Sequence, residues 1–380
     1  MASGKHSRKK APKKEGKSTR LWVVVVGALT LALAAAGIVL ISRNHNTPAS
    51  ATTAAPPAAL RVLSTSPAGD SAPGDATISV QYSTDLAPGS PMPTLSPPVA
   101  GQWAVLSPSL LQYQATAPLV PGTVETITIP GGPTGTTGSR GQHLDLAFTS
   151  SFTVAPGSTL RLQQMLAELG YLPLNFTAAS PLTSPTQEGA AQAGTFTWRW
   201  ADQPSSLTSL WTPGTYNVIT KGAVMNFEAQ HNLKVDGVAG PAVWGAVLTA
   251  VESGQGDALP YDYVSVSKTL PQTTTVYESG SAVYQTLSNT GVAAAPTADG
   301  TFPVYARYTV TTMSGTNPDG SKYVDPGIPW VSYFNGGDAL HGFPRASYGF
   351  PQSVGCVEMP IANAAIVFPL TPLGTLVTVS

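Results

Sequence analysis

An uncharged stretch near the N-terminus constrains the chain most strongly, because its length matches the thickness of a lipid bilayer. It runs from Leu21 to Ile41 without a single charged residue, and about 20 apolar residues make a transmembrane helix. Residues 1–20 hold eight of the 19 Lys and Arg residues. Since positive residues stay on the cytoplasmic side of a membrane span, we predict a basic cytoplasmic tail over 1–20, a transmembrane helix over 21–41 and an extracytoplasmic remainder.

A cleaved secretory signal peptide is the alternative interpretation of this stretch. Ala49-Ser50-Ala51 offers the small residues of a cleavage site, but the apolar region of such a signal usually has only about 7–15 residues. The greater length favours a single-pass membrane anchor, and both interpretations export the rest of the chain. A basic tail can also bind nucleic acid. This tail is short and directly precedes a membrane span, so we expect no nucleic-acid partner.

Residues 42–59 are rich in Pro, Thr and Ala and poor in large apolar side chains. Such a segment cannot bury enough surface to offset the entropy lost when a chain becomes ordered. We therefore predict a linker that holds the folded part of the chain away from the membrane.

The composition beyond the linker favours a multidomain, mainly β chain. Only 10% of all residues are charged, and the 37 Gly and 35 Pro residues are typical of the turns between strands. Over residues 60–155, short segments of alternating apolar and polar residues are separated by such turns, which predicts a small β-sandwich. Residues 97–103 and 119–123 resemble the immunoglobulin-like (Ig-like) domains of bacterial wall-associated proteins, so we expect an Ig-like β-sandwich here.

Residues 158–250 change to the hydrophobic period of helices. Apolar residues recur at helical spacing in one run that stops at Gly170, in a second over residues 220–230, and in a third that starts at Pro241. These three runs predict a small three-helix domain, interrupted by a long irregular insertion between the first and second helices.

The same three runs resemble the helical peptidoglycan-binding domain that accompanies many cell-wall hydrolases and transpeptidases. The similar segments are residues 162–171, 223–230 and 233–244, which include the Asp-Gly-Val-Ala-Gly-Pro sequence before the third helix. The resemblance implies that this domain binds glycan strands of the cell wall.

Residues 261–380 return to an alternating β pattern and contain one cysteine, Cys356, and one histidine, His341. A free thiol has a pKa of about 8.5, and an imidazole beside it can stabilise the thiolate and later donate the proton. Gly355 precedes the cysteine, and a glycine there lets a substrate approach and frees consecutive amides to face an oxyanion. Because His341 and Cys356 are 15 positions apart, only tertiary structure can bring them together.

With its His341-Gly342 pair and its Ser353-Val354-Gly355-Cys356 motif, this region resembles the L,D-transpeptidase catalytic domain, or YkuD family. The resemblance implies a β-sandwich in which Cys356 attacks a peptide carbonyl and His341 is the acid and base. It also implies that the Gly342 carbonyl orients the imidazole and that the amides of Gly355 and Cys356 bind the oxyanion. We further expect Ser353 and Tyr333 to contact substrate.

Two positions depart from the family pattern. Val354 stands where many members have a second histidine, and Glu358 stands where arginine or asparagine is common. The first change removes one possible neighbour of the thiol. The second alters the charge expected beside the substrate.

The resemblance implies a peptidoglycan L,D-transpeptidase, anchored in the cell membrane with its catalytic domain in the cell wall. It would hold a stem peptide as a thioester and pass it to an amine of a neighbouring stem, so its partners would be stem peptides, glycan strands and the membrane. Transfer to water would make it an L,D-carboxypeptidase. A catalytically inactive wall-binding or scaffolding protein is the alternative from another class.

No His, Cys and carboxylate residues have metal-ligand spacing, so we expect neither a metal nor a cofactor.

Overall fold

The computed structural model describes residues 58–380, and the first region of this part of the chain contains two four-stranded sheets. One sheet has the strand order β1-β3-β6-β5 and the other β2-β8-β7-β4. A single apolar core lies between them, with Ile78 and Leu111 from the first sheet and Ile127 and Phe152 from the second. The strands are β1 Val62–Ser66, β2 Gly69–Ala72, β3 Ile78–Tyr82, β4 Thr94–Ser96, β5 Gly101–Ser107, β6 Leu110–Ala115, β7 Val124–Ile129 and β8 Phe148–Val154. The Ig-like assignment of this region stays a prediction.

The second region contains the helices expected from the sequence. Ser158 caps the first helix by accepting a hydrogen bond from the Arg161 amide at 3.1 Å, and Asn217 caps the third by accepting one from the Thr220 amide at 3.0 Å. The long insertion forms a short hairpin and one turn of helix. The elements are α1 Thr159–Glu168, β9 Leu174–Ala178, β10 Gly194–Trp198, α2 Ser205–Thr208, α3 Val218–Gln230 and α4 Pro241–Ser253.

The third region has two sheets, in the orders β13-β12-β11-β19-β14 and β15-β16-β17-β18. Val264, Val377, Phe334 and Met359 belong to the apolar core that the two sheets share. The elements are β11 Asp262–Ser267, β12 Thr273–Glu278, β13 Ser281–Leu287, β14 Gly300–Pro303, β15 Ala306–Thr316, β16 Lys322–Asn335, β17 Asp338–Gly342, β18 Val357–Met359, α5 Ile361–Val367 and β19 Leu376–Val379. This arrangement is a mainly β sandwich, as the sequence predicts.

The second and third regions are packed together more tightly than the change of hydrophobic period suggests. Tyr263 on β11 and Leu376 on β19 are buried in the same apolar cluster as the helices. The Tyr263 hydroxyl lies 2.8 Å from the Ser206 hydroxyl and donates to Thr378 Oγ1 at 2.7 Å. Gly222 on α3 approaches Gly374 so closely that an added Cβ would lie 2.5 Å from the Gly374 carbonyl oxygen. The two regions therefore share one core.

The predictions for the N-terminal part fall outside the described residues. Residues 1–20, 21–41 and most of the 42–59 linker precede residue 58. From residue 58 onwards, no helix combines the length and the apolar character that a membrane crossing requires. The anchor remains a prediction from the sequence.

Candidate active site

Two parallel strands bring the predicted cysteine and histidine to the same face of one sheet. In the β17–β18 pairing, Leu340 lies opposite Val357 and His341 lies opposite Glu358. Because side chains alternate along a strand, Cys356, just before β18, projects to the same side as Glu358 and His341. The pairing of β17 with β18 thus brings the two ends of the connection together, and the thiol and the imidazole both line one cavity.

The cavity has a volume of about 200 Å³. One side is formed by β17, the connection and β18, and the other by the hairpin of β15 and β16. Its lining includes His341, Arg345, Cys356 and Glu358 from the first side and Tyr323 and Asp325 from the second.

The environment of Cys356 favours the neutral thiol. Its Sγ donates to the Gly337 carbonyl at 3.5 Å, and the Ala339 backbone amide donates to the sulfur. Burial raises the pKa of the thiol to about 12, and this outweighs the opposite effect of the Ala339 amide, while the carboxylates of Asp338 and Glu358 also raise it. Desolvation therefore opposes the stabilised thiolate that the sequence motif predicts, and that thiolate stays a prediction.

His341 is also neutral, and one of its ring nitrogens is fixed. The residue is only 3% exposed, and burial lowers the pKa of its imidazole below the ordinary value. Its Nδ1 lies 3.1 Å from the Gly342 carbonyl oxygen. A carbonyl can only accept, so Nδ1 carries the proton and Nε2 keeps its lone pair for a substrate or thiol proton. Within residues 58–380 no hydrogen bond joins this imidazole to the thiol.

Gly355 has a conformation that other residues adopt with strain. Its φ is +115°, and an added Cβ would lie 2.6 Å from Asp338 Oδ1. Ser353, which is 1% exposed, donates from its hydroxyl to the Cys356 carbonyl. Ser353 also lines the cavity, and its hydrogen bond closes the turn that carries Cys356.

Tyr333 lies near Cys356 but not on the cavity surface that contains His341. The tyrosine and the cysteine pack against one small apolar cluster, which consists of Met313, Ile328, Val331 and Ala339. Burial raises the pKa of the Tyr333 hydroxyl, and the nearby Cys356 adds to this. Tyr333 is absent from the residues that line the cavity.

An ion pair beside the two reactive residues could not be read from the sequence. Arg345 Nε and Nη2 donate to the two oxygens of Glu358, each at 2.8 Å. The guanidinium also lies 4.7 Å from the centre of the Phe343 ring. Arg345 is the only charged residue between His341 and Cys356. Its isolation in that segment is the one sequence feature that could have drawn attention to it. Glu358 thus has its own cationic partner.

The described residues contain no group of three or more His, Cys, Asp or Glu side chains that could hold a metal ion. The cavity presents a thiol, an imidazole and charged side chains.

Comparison with known proteins assigns two parts of the chain. Residues 261–379 match the L,D-transpeptidase catalytic domain (YkuD), and residues 206–247 match the peptidoglycan binding domain PG_binding_1. No curated protein matches the chain.

Several solved structures are similar. L,D-transpeptidase 3 from Mycobacterium tuberculosis, in complex with a faropenem-derived adduct, is 12% identical over 84% of this chain and 97% of that chain, with a TM-score of 0.29. The L,D-transpeptidase from Mycobacterium smegmatis is 11% identical over 85% and 100%, with a TM-score of 0.29. The catalytic domain of the E. faecium L,D-transpeptidase is 24% identical over 33% and 100%, also with a TM-score of 0.29.

Because these TM-scores are low, the assignment rests on the family models, which cover the sheets around Cys356 and, before them, α3 and parts of α2 and α4. Residues 261–379 are an L,D-transpeptidase catalytic domain of the YkuD family, preceded in the same chain by a peptidoglycan-binding domain that includes residues 206–247.

Proposed function

We propose that the chain is a peptidoglycan L,D-transpeptidase that crosslinks stem peptides through a thioester on Cys356. The observation that carries the proposal is the register of β17 and β18, which brings Cys356 and His341 to one cavity. The peptidoglycan-binding domain in the same chain supports a substrate in the cell wall.

The neutral thiol and neutral imidazole favour proton transfer during attack. As Cys356 Sγ bonds to the carbonyl carbon of the donor stem, its proton passes to His341 Nε2, since Nδ1 is held by the Gly342 carbonyl. The carbonyl oxygen becomes an oxyanion. When the tetrahedral intermediate collapses, the C–N bond breaks, the leaving amine takes the proton from His341, and a thioester remains.

The turn before β18 supplies the groups that would stabilise the oxyanion. The amide N–H groups of Gly355 and Cys356 donate no hydrogen bond within residues 58–380, so both are available to a negatively charged oxygen. In the second half of the reaction, an amine of a neighbouring stem attacks the thioester and His341 accepts its proton. The thiol is regenerated and a new amide bond is formed.

The first test is acylation by a carbapenem, followed by intact mass spectrometry of the whole chain. We expect one covalent adduct on the parent and none on Cys356→Ala. The E. faecium catalytic domain has been solved acylated by ertapenem, which makes this compound a suitable probe. An unreactive Cys356 in a folded protein would overturn the proposal and favour the scaffolding function.

The second test separates the two possible acceptors. A donor tetrapeptide is incubated with and without an acceptor stem, and the products are separated by mass. We expect a crosslinked dimer with loss of the fourth residue. If only the hydrolysed tripeptide forms at saturating acceptor, the protein is an L,D-carboxypeptidase.

We also propose that residues 21–41 anchor the protein in the membrane and that residues 60–380 lie outside it. The uncharged stretch and the basic tail before it support this. Protease added to wall-stripped cells should digest residues 60–380. Protection of that part, with cleavage of the tail, would reverse the proposed orientation.

A further inference from the structure

A second cavity lies between the β-sandwich of the first region and helix α4 of the second. Its volume is about 330 Å³, against about 200 Å³ for the cavity at Cys356. Its walls come from the sandwich, from the insertion segment Pro185–Gly189 and from α4. The sandwich and the helix are in contact beside it, since a Cβ added at Gly245 would lie 3.7 Å from the Val120 side chain. This space, the junction cavity, is therefore enclosed by two regions of the chain.

One side of α4 faces the junction cavity. The helix contributes four lining residues at spacings of three and four positions, which places them on the same face. They are Gly245, Leu248, Thr249 and Glu252. The face thus runs from a glycine that leaves space to a glutamate at its C-terminal end.

The opposite wall holds a carboxyl group where an apolar side chain is expected. Along β7, Glu125, Ile127 and Ile129 alternate with more exposed residues, so all three lie on the side that faces the core. Glu125 is only 2% exposed and lines the junction cavity. A buried carboxylate destabilises a fold unless it has a partner, so Glu125 is unexplained by packing alone.

Glu125 has one carboxyl oxygen without a hydrogen-bond donor. Its Oε1 lies 3.2 Å from the Thr123 hydroxyl, which donates to it, but Oε2 is buried and has no partner within residues 58–380. Burial raises the pKa of this carboxyl, and the Thr123 hydrogen bond only partly opposes that effect. A water molecule could donate to Oε2 but would leave its charge uncompensated, whereas a cation with an N–H group would do both.

The lining of the junction cavity has a net negative charge. Three glutamates line it, and among the described lining residues there is no Lys, Arg or His. Glu188 is compensated by Arg161, whose Nη2 lies 2.7 Å from its Oε2. Glu252 is exposed and belongs to none of the ion pairs formed between residues 58 and 380. Two carboxyl groups, one buried and one at the rim, thus remain without a cation.

The rest of the wall is apolar and stiff. Four prolines contribute to it, together with Val99 and Leu248: Pro97, Pro98, Pro118 and Pro185. In the described part of the chain, no three acidic, His or Cys side chains come together as metal ligands. The surroundings therefore suit a cation that carries a hydrocarbon chain better than a metal ion.

We propose that the junction cavity binds a primary alkylammonium group, with the ammonium on Glu125 Oε2 and the hydrocarbon chain against the proline-rich wall. A guanidinium would need both carboxyl oxygens for its paired hydrogen bonds, and Oε1 already has Thr123. A quaternary ammonium has no N–H group to donate. Such a ligand would touch both the sandwich and α4 and would hold the two regions together. The site does not include Cys356, so the inference is independent of the proposed transfer reaction.

The test is calorimetric titration of the full chain, in a non-ionic detergent and at constant ionic strength. Three probes share one hydrocarbon chain: n-butylammonium, the neutral n-butanol and butyltrimethylammonium, which keeps the charge but has no N–H group. We expect n-butylammonium to bind with a Kd roughly tenfold to a hundredfold lower than either of the others, as is typical of a charge-assisted hydrogen bond. Equal affinities for the three probes would overturn the inference.

Two variants remove the charge and the space separately. Glu125→Gln should raise the Kd for n-butylammonium by roughly tenfold or more, and Gly245→Leu should abolish binding by filling the cavity while Glu125 stays in place. Asp145→Asn is the matched control, since Asp145 is an exposed carboxylate of the same sandwich that does not line the cavity. Binding that survives in Glu125→Gln or in Gly245→Leu, or an equal loss in Asp145→Asn, would contradict the site.

Thermal unfolding without ligand separates a binding role of Glu125 from a structural one. Glu125→Gln should unfold at the same temperature as the parent or higher, because it removes a buried charge that has no cation. A clearly lower temperature would show that the carboxylate supports the fold and would overturn the inference.

A fourth probe identifies the source of the amine. Nα-acetyl-lysine methylamide carries the same alkylammonium on a peptide unit. Binding at least as tight as that of n-butylammonium supports the site and assigns it to an amine borne by a peptide. Weaker binding supports the site and assigns it to a free amine.

Discussion

The cavity around Cys356 lies between two walls of different character. The catalytic wall consists of β17, the connection Phe343–Cys356 and β18, and its His341, Ser353 and Glu358 are 3%, 1% and 5% exposed. The hairpin wall consists of β15 and β16, and it exposes Val310 and Val324 at 60% and 66%. Its strand pairing also shifts register between Thr311 and Met313.

This difference separates two tasks. The groups that we propose to make and break bonds are on the catalytic wall, where packing and hydrogen bonds fix their orientation. The hairpin wall contributes Tyr323 and Asp325, which can contact substrate but cannot replace the nucleophile or the base. We therefore expect changes on the catalytic wall to affect the rate of acylation most strongly, and equivalent changes on the hairpin wall to affect it less.

The largest expected difference between the walls comes from removing the base. His341→Gln should lower the rate of carbapenem acylation by about 10²- to 10⁴-fold. The reason is that the glutamine amide has no basic nitrogen to accept the thiol proton, as His341 Nε2 does. Tyr323→Phe on the hairpin wall should lower it by no more than about tenfold. Stopped-flow acylation measures both variants. Equal losses would show that the hairpin takes part in the chemical step.

The pH dependence of acylation should report the imidazole and not the thiol. The pKa of His341 is lowered from its ordinary value of 6.5, so the base is neutral and active at that pH and above, and the rate should fall only at lower pH. The pKa of Cys356 is raised to about 12, so no rise centred near an ordinary thiol pKa of about 8.5 should be seen. Acylation rates from pH 5 to 9, at roughly one-unit steps, test this. A thiol-like rise near 8.5 would contradict the neutral pair.

A substitution in the turn before the nucleophile should be less tolerated than one in the hairpin. In Gly355→Ala, the new Cβ would be placed on a backbone with positive φ and would clash with Asp338. The variant should therefore lose up to about 3 kcal/mol of folding stability and be acylated more slowly. Gly327→Ala on β16 is the control, since its φ is +75° but an added Cβ meets nothing within 4 Å. Urea unfolding should give a smaller loss for Gly327→Ala, with acylation retained. The opposite order would mean that the turn adapts more easily than the hairpin.

The smallest effect concerns packing within the hairpin wall itself. Val331 and Val324 are both on β16, but Val331 is 0% exposed and Val324 is 66% exposed. Val331→Ala should lower the free energy of unfolding by about 2 kcal/mol, because it removes buried methyl groups. Val324→Ala should change it by less than about 0.5 kcal/mol. Similar values for both would indicate that this strand is loosely packed along its whole length.

Much of the fold and the two reactive residues could be predicted from local patterns. The alternation over residues 261–380 predicted the β-sandwich, and the helical spacing of Leu162, Met165 and Leu166 predicted α1. Cys356 and His341 were found because each is the single residue of its type in a region with the matching glycine motifs. The packing of Tyr263 and Leu376 into the helical core was missed, since apolar residues on a strand do not reveal which region covers them.

The sequence by itself determined which groups can react, because thiol and imidazole chemistry belongs to the residue types and the glycines before and after them are visible in the chain. Tertiary structure alone decided the pKa values of the thiol and the imidazole and which residues lie beside them. The parallel pairing of β17 and β18 placed Glu358 beside His341 and within reach of Arg345, and the closing of two walls around Cys356 raised the pKa of its thiol. Burial and pairing across a sheet depend on distances between residues far apart in the chain, and those distances are set only when the strands come together.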